Sequence, residues 1–407
     1  MVESIEAQLA SEARRELESN ILPFWRRYGV DNEQGGFVAQ LSNDLRRQNA
    51  PKGLVLNARI LWTFSAAFSL TQNEQDWELA RQAHDYLTRF FLDPLFGGYF
   101  WELDPSGRVV NDRKKVYGQA FCLYALAEYH RVFHEIAALQ RAQELFFLLE
   151  SHAHDAGNGG YWEVLLRDWR PSEDMRLGDQ DRNEKKSMNS HLHLLEAFAH
   201  LFRVWPDRLL ADRLRELIQL FLEKILNAEK THFHHFFTET WTPRSDNYTF
   251  GHDIEGSWLL CEAAEALGDP ALIIEMRDLA VRMARATQSE GLDADGGLLY
   301  EGRDGQIIND HKEWWPQAEA VIGFFNAWKI SHDKSFLESA LRCWQFIRKH
   351  VVDSRHGEWF WRVSRQGTPD SDLPKISAWK CPYHNGRCCL ELIQRTRPPS
   401  QTAPARL

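Results

Sequence analysis

Cysteine is sparse in this chain: six residues among 407, with no C-x-x-C pair. That excludes a disulfide-stapled secreted scaffold and a zinc ribbon, and points to reduced thiols. Positive charge is also short. The net charge is −10 and no lysine–arginine run carries interleaved aromatics, so a nucleic-acid partner is excluded. No apolar stretch approaches the roughly 20 residues of a membrane helix. The amino terminus, MVESIEAQLASEARRELE, is acidic and amphipathic rather than a signal or transit peptide. A cytoplasmic protein with no membrane partner is expected. Glycine-rich phosphate loops and the G-x-S-x-G elbow are missing, which leaves a nucleotide or flavin cofactor unsupported. H-E-x-x-H and a full calcium-loop series are absent as well.

Apolar residues and tryptophan are abundant. The chain is 43% hydrophobic and holds 16 tryptophans, enough for a large core and for a cleft that stacks indoles on sugar faces. One pattern recurs: a turn of small or polar residues, then an aromatic-rich strand. It reads EQGGFVAQL at 33–41, LFGGYFWEL at 95–103, GNGGYWEVL at 157–165, THFHHFFTETW at 231–241, ADGGLLYEG at 294–302 and RHGEWFWRV at 355–363. Gly36, Gly98 and Gly160 fall at even intervals of about 62 residues, the mark of a repeat architecture. Between the turns lie segments of helical periodicity: one at about 3–28, five pairs between 55 and 351, and a last one at 382–395. Twelve helices in six pairs, with a β-hairpin insertion after every odd one, predict an all-α, closed (α/α)6 barrel. An open solenoid would need polar capping repeats, and neither end has them. Residues 1–395 read as one catalytic domain. The Pro-rich segment 396–407 reads as a disordered tail.

In such a barrel the even-numbered helices all begin at the same end. Their starts are NAR at 57–59, KKVYGQAF at 114–121, SMNSHLHLLEAF at 187–198, FGHDIEGSW at 250–258, HKEWWPQAEA at 311–320 and KCPYHNGR at 380–387. Each carries unusual polar or aromatic groups, whereas odd starts such as EQDWELA and HDKSFLE look like ordinary caps. His191, His193, His252, His311 and His384 lie at or near these starts. An imidazole there stays neutral and basic, suited to moving a proton on and off carbon. Glu255 follows His252 by one turn and is expected to orient it. Asp253 fits a first-turn cap. His191 and His193 point about 200° apart on a helix, which argues against one shared metal ion, and no metal is expected. HFHH at 232–235 reads as a packing element on a strand. Asp253, Glu255, Glu313, Glu319 and Glu184 keep a two-carboxylate glycosidase open.

MNSHLHLLEAF, FGHDIEGSWLL, KEWWPQAEAV and WKCPYHNGR together resemble the N-acylglucosamine 2-epimerase superfamily, and within it the cellobiose 2-epimerase branch. The resemblance runs from NARILWTF at 57 to YHNGR at 383–387. It implies an (α/α)6 barrel and a reaction free of metal and redox cofactor. It also implies epimerisation at C2 of the reducing-end glucose of a β-1,4-linked disaccharide such as cellobiose or lactose. Proton transfer by histidine acid and base would run through a cis-enediolate. His384 and His252 match the acid/base pair, Glu255 supports His252, and His193 is the third family histidine. Arg59, Tyr117 and Asn189 match positions that hold the sugar's oxygens. Trp315 and Trp379 match stacking tryptophans, and Glu319 matches a polar wall residue. Arg59 also has a passive reading as a salt bridge, Tyr117 and Asn189 as caps, and His193 and the tryptophans as core. A small-molecule sugar is the expected partner of a monomer or weak homodimer. A monosaccharide aldose–ketose isomerase, an N-acylhexosamine 2-epimerase and a glycoside hydrolase remain as alternatives.

Overall fold

The computed structural model describes residues 4–179 and 181–397. Among them, twelve helices alternate along the chain. Helix α1 is Ile5–Glu16, continued by wider turns to Gly29; α2 is Leu54–Thr71; α3 is Glu74–Tyr86, continued to Phe91. Then follow α4 (Val116–Phe133), α5 (Ile136–His152), α6 (Met188–Val204) and α7 (Arg208–Leu220, continued to Ile225). The last five are α8 (Phe250–Leu267), α9 (Pro270–Glu290), α10 (Trp314–Ser331), α11 (Lys334–Phe346, continued to Val351) and α12 (Tyr383–Arg395). Each even helix packs on the next even one, and α12 packs back on α2, closing an inner ring. The odd helices form the outer layer, with α1 against α12. The fold is therefore the expected (α/α)6 barrel. The tail expected at 396–407 lies, from Pro398 on, outside the described residues.

Residue pattern accounts for the two layers. Inner helices are apolar nearly all round: in α2 every residue from Leu54 to Ala67 is buried. That helix, with mean hydropathy 1.3 over 18 residues, is long and apolar enough to cross a membrane, but 78% of it is buried within the barrel wall. Outer helices are amphipathic, as one solvent-facing side requires.

The two layers also start differently. Outer helices carry their own caps: Asn73, Glu135, Asp207, Asp269 and Asp333 each accept an N–H of the first turn. Five of the six inner helices have no side-chain cap; Ser187 of α6 is the exception. Capped or not, five inner helices donate their first N–H to a hairpin carbonyl: Leu54 to Trp101, Val116 to Glu163, Met188 to His235, Phe250 to Tyr300 and Trp314 to Trp361.

Each insertion is a hairpin, bridged at Leu41–Arg47, Leu103–Val109, Leu165–Pro171, Phe237–Pro243, Gly302–Ile307 and Val363–Pro369. Its first arm pairs with the strand that feeds the preceding inner helix, as Lys52–Gly53 does with Glu102–Leu103. Leu41 bridges Ile376, so the hairpin ring closes as well. A buried lysine fastens most of the turns: Lys52 to Asp31, Lys114 to Asp93, Lys186 to Asp155, Lys312 to Asp293 and Lys375 to Asp353. The fourth repeat differs. There His232 bridges Asp253 at 2.7 Å and Glu290 at 3.2 Å, stacked on Tyr248.

One expectation needs correcting. Helix α8 starts at Phe250, three residues before Asp253, because Thr249 is its first flanking residue. Asp253 does not cap it: its carboxylate accepts the Phe233 N–H at 2.9 Å and the His232 ring, which anchors the hairpin. Gln119, His191 and Gln317 hold the N–H of Tyr99, Tyr161 and Leu298 from the matching helix position. Asp253 thus fills a place set by the repeat.

Candidate active site

Inner-helix starts and hairpin tips enclose a cavity of about 190 Å³. At roughly 30 Å³ per water, that is space for about six waters, the scale of one sugar ring. Every inner helix contributes to it: Arg59 from α2, Tyr117 from α4, Asn189 and His193 from α6, His252 and Glu255 from α8, Trp315 from α10 and His384 from α12. Trp379 joins them from the segment before α12. Nine of the ten residues expected in a site therefore line one cavity, and Glu319 does not.

His252 and His384 both approach the Trp315 indole, at ring-centroid distances of 4.6 and 5.7 Å, so they cannot lie farther apart than those two spans allow. Burial, followed by the neighbouring His235 and His193, pushes His252 well below the ordinary imidazole value. Burial and the charges of Arg59 and Arg387 do the same to His384. Both rings are therefore neutral near pH 7, which a proton acceptor requires.

Their backing differs from the expected pattern. Glu255 does not orient His252, whose Nδ1 lies 2.6 Å from the Thr249 hydroxyl. The carboxylate that orients an imidazole is Glu319, at 2.7 Å from His384 Nδ1. It sits behind that ring instead of in the cavity wall, and it also accepts the Trp258 indole N–H at 3.1 Å. Burial raises the Glu319 carboxyl, while Arg387 and Trp258 oppose the rise. Arg387 is the hub of this layer. It donates to Glu255 at 2.5 Å, to Glu319 at 2.7 Å and to Glu196. Burial works upward on Glu196, but Arg387 and His193 outweigh it and bring that group down to about 2. Glu196 in turn holds His193 Nδ1 at 2.9 Å. Burial and the Glu319 charge push Glu255 up to about 7.

Arg59 faces the cavity differently. Its Nη2 donates to the Tyr117 hydroxyl at 2.7 Å, and its guanidinium lies over the Phe121 and Tyr383 rings. Among the described residues it makes no salt bridge, and its Nε is buried with no partner. The Glu255 Oε2 and Asn189 Oδ1 atoms are likewise buried without protein partners. A buried cation and unpaired acceptors in one polar cavity suit a ligand rich in hydroxyls that gains negative charge during reaction.

Donor atoms of Glu255, Glu319 and His384 lie within 4.8 Å of one another, as in a metal site. Arg387 already supplies positive charge to both carboxylates. His191 turns away from His193: its Nδ1 meets the Ser187 carbonyl at 2.6 Å and its Nε2 accepts the Tyr161 N–H. Of the carboxylates considered for glycoside hydrolysis, only Glu255 and Glu313 line the cavity. Glu184 pairs with Arg244 instead.

The sequence reading missed Tyr300, Trp361, Arg387 and Glu196. A signal for the first two existed. Counting three residues on from the second turn residue of each repeat gives Ala39, Trp101, Glu163, His235, Tyr300 and Trp361. In the last five the backbone carbonyl receives an inner-helix N–H, and Tyr300 and Trp361 line the cavity.

Comparison with known proteins agrees with this architecture. Residues 35–388 match the model of the N-acylglucosamine 2-epimerase family. The chain is 44% identical over 388 residues to a cellobiose 2-epimerase of Bacteroides fragilis, covering 95% of this chain and 98% of that one. The solved cellobiose 2-epimerase of Bacillus thermoamylovorans B4167 superposes with a TM-score of 0.90 at 37% identity, over 95% of this chain and 99% of that one. A D-mannose isomerase, at 21% identity and a TM-score of 0.84 over 97% and 99% of the two chains, shares the fold. The chain therefore belongs to the N-acylglucosamine 2-epimerase family and is a carbohydrate epimerase.

Proposed function

We propose that this barrel inverts C2 of the reducing-end glucose of a β-1,4-linked disaccharide, cellobiose or lactose, giving the mannose-ended epimer. The observation that carries this reading is a single cavity in which two neutral imidazoles, His252 and His384, approach the same indole beside the Arg59 guanidinium, which has no salt-bridge partner among the described residues. The relatives named cellobiose 2-epimerase support the choice of substrate.

The sugar ring first opens to the aldehyde, which acidifies the C2 proton; His193 assists this step. One imidazole removes that proton through Nε2. The C2–H electron pair moves into the C1–C2 bond and the carbonyl pair onto oxygen, giving a cis-enediolate. Arg59, with the Tyr117 hydroxyl beside it, stabilises that oxyanion. The second imidazole, protonated at Nε2 from solvent, returns that proton to the opposite face of C2, and the first releases the proton it took to solvent, which leaves both rings neutral again. Asn189 and Glu255 accept sugar hydroxyls, and Trp315 and Trp379 stack on the rings. Each imidazole contributes roughly 10²–10⁴-fold, so losing either nearly abolishes turnover.

The test is incubation with cellobiose or lactose in D2O, followed by NMR. Deuterium at C2 with the glycosidic bond intact supports the reading. Free monosaccharides without carbon labelling would support hydrolysis by Glu255 and Glu313. Exchange restricted to free mannose or N-acylhexosamines would move the substrate to the monosaccharide relatives. A His384→Asn variant with full C2 exchange would remove the catalytic assignment.

A further inference from the structure

His235, the last histidine of HFHH, stands at the hairpin register from which Tyr300 and Trp361 line the cavity in other repeats. Its ring is 5.6 Å from that of His252. Between them lies Thr249, with Oγ1 at 2.6 Å from His252 Nδ1 and 3.4 Å from His235 Nε2. The Thr249 backbone N–H also points at His235 Nε2, at 3.3 Å.

One assignment of the protons satisfies all three contacts, with His235 Nε2 as a shared acceptor. A backbone N–H only donates, so His235 Nε2 is the acceptor and carries no proton. Burial and the adjacent His234 hold this imidazole down at about 4, so it is neutral. In that assignment the Thr249 hydroxyl proton shares His235 Nε2 with the backbone N–H. Its oxygen is left to accept, and the short contact to His252 is an Nδ1–H donation. His252 therefore presents an unprotonated Nε2. We infer that His235, acting through the Thr249 hydroxyl, is a positioning residue that locks His252 in the Nδ1–H tautomer and so keeps Nε2 as its proton-accepting atom.

The inference rests on the reading of His252 as an acid/base. Its two imidazoles would then be held by different devices. His384 is backed by a carboxylate, whereas His252 is backed by a neutral hydroxyl–imidazole relay. A neutral relay orients the ring without raising its basicity, unlike the carboxylate of a Ser-His-Asp triad.

The test uses the full-length chain with 15N-labelled histidine. The wild-type spectrum should show His252 protonated on Nδ1, and Thr249→Val, which keeps shape but loses the hydroxyl, should show a mixture of tautomers. In kinetics, Thr249→Val should lower kcat about 10²-fold with KM nearly unchanged. Thr249→Ser should restore both the tautomer and the rate, and His235→Leu should reproduce the Val phenotype more weakly. A wild-type spectrum with the proton on His252 Nε2 would overturn the inference. So would an unchanged tautomer or unchanged kcat in Thr249→Val. Full C2 exchange in His252→Gln would instead remove the acid/base reading, while the 15N spectrum still decides the relay.

Discussion

Replacing Glu319 with Gln separates the two roles open to that residue. The carboxylate has one oxygen facing both His384 Nδ1 and Arg387, at 2.7 Å each, and the other facing the Trp258 N–H at 3.1 Å. A glutamine amide of the same shape must keep its carbonyl towards His384 and Arg387, because its NH2 would otherwise meet a guanidinium. The Nδ1–H tautomer of His384 survives. The NH2 then faces the Trp258 donor, which leaves that bond unmade at about 1–3 kcal/mol of stability. The kinetic loss is larger. His384 becomes cationic when it takes the C2 proton, and the variant no longer offers it a negative charge. At about 4 Å and an effective dielectric of about 20, that attraction is roughly 4 kcal/mol, or on the order of 10³-fold in kcat. KM should hardly move, because Glu319 lies outside the cavity lining. The assay is initial-rate epimerisation of cellobiose together with C2 deuterium exchange, with urea unfolding as the stability control. A variant within about fivefold of wild-type kcat would refute carboxylate backing of His384. A raised KM at constant kcat would return Glu319 to the cavity wall as a sugar ligand.

Three further outcomes follow from the same geometry. Trp379→Ala should raise KM for the disaccharide on the order of 10-fold with a smaller change in kcat, since a stacking face is worth about 0.5–1.5 kcal/mol beyond its buried area; isothermal titration and steady-state kinetics check it. Gly160→Ala should destabilise the barrel by about 2–4 kcal/mol in urea unfolding, because its φ is +74° and a Cβ would meet the Trp241 ring at 2.5 Å. Glu255 titrates higher in the folded protein, at about 7, than its ordinary 4.5, so the folded state binds that proton more readily than the unfolded chain. It carries no penalty below pH 4.5 and loses stability as pH rises from there through 7. Wild type should therefore lose about 3 kcal/mol relative to Glu255→Gln across that window, read from urea midpoints at pH 4.5 and 8. Parallel curves for the two proteins would show that the Glu255 carboxyl is not raised.

What could be read from the sequence, and what could not, divides along the range of the interactions. The barrel was legible because its determinants repeat: turn glycines at even intervals, amphipathic outer helices, and local caps such as Asp207 and Asp269. The gathering of Arg59, Asn189, His252 and His384 was legible for a related reason. Each stands in the first two turns of an inner helix, and a closed ring brings those turns to one mouth. The partners of the two imidazoles were not legible. An i, i+3 spacing places Glu255 and His252 on neighbouring parts of a helix surface, but it does not say which direction each side chain takes. His252 turns back to Thr249 and the hairpin, while Glu255 crosses the ring to Arg387, 132 positions away in the chain. Glu319 reaches His384 across 65 positions, and Arg387 reaches Glu196 across 191. A buried guanidinium with three carboxylates exists only once the ring has closed, since any one of those acids alone would be an isolated charge in an apolar wall. The charge layer beneath the cavity is thus a product of closure. Changing its hub, Arg387, to Met should accordingly lower stability and kcat together, read by urea unfolding and initial rates, whereas Trp379→Ala at the cavity surface acts chiefly on KM.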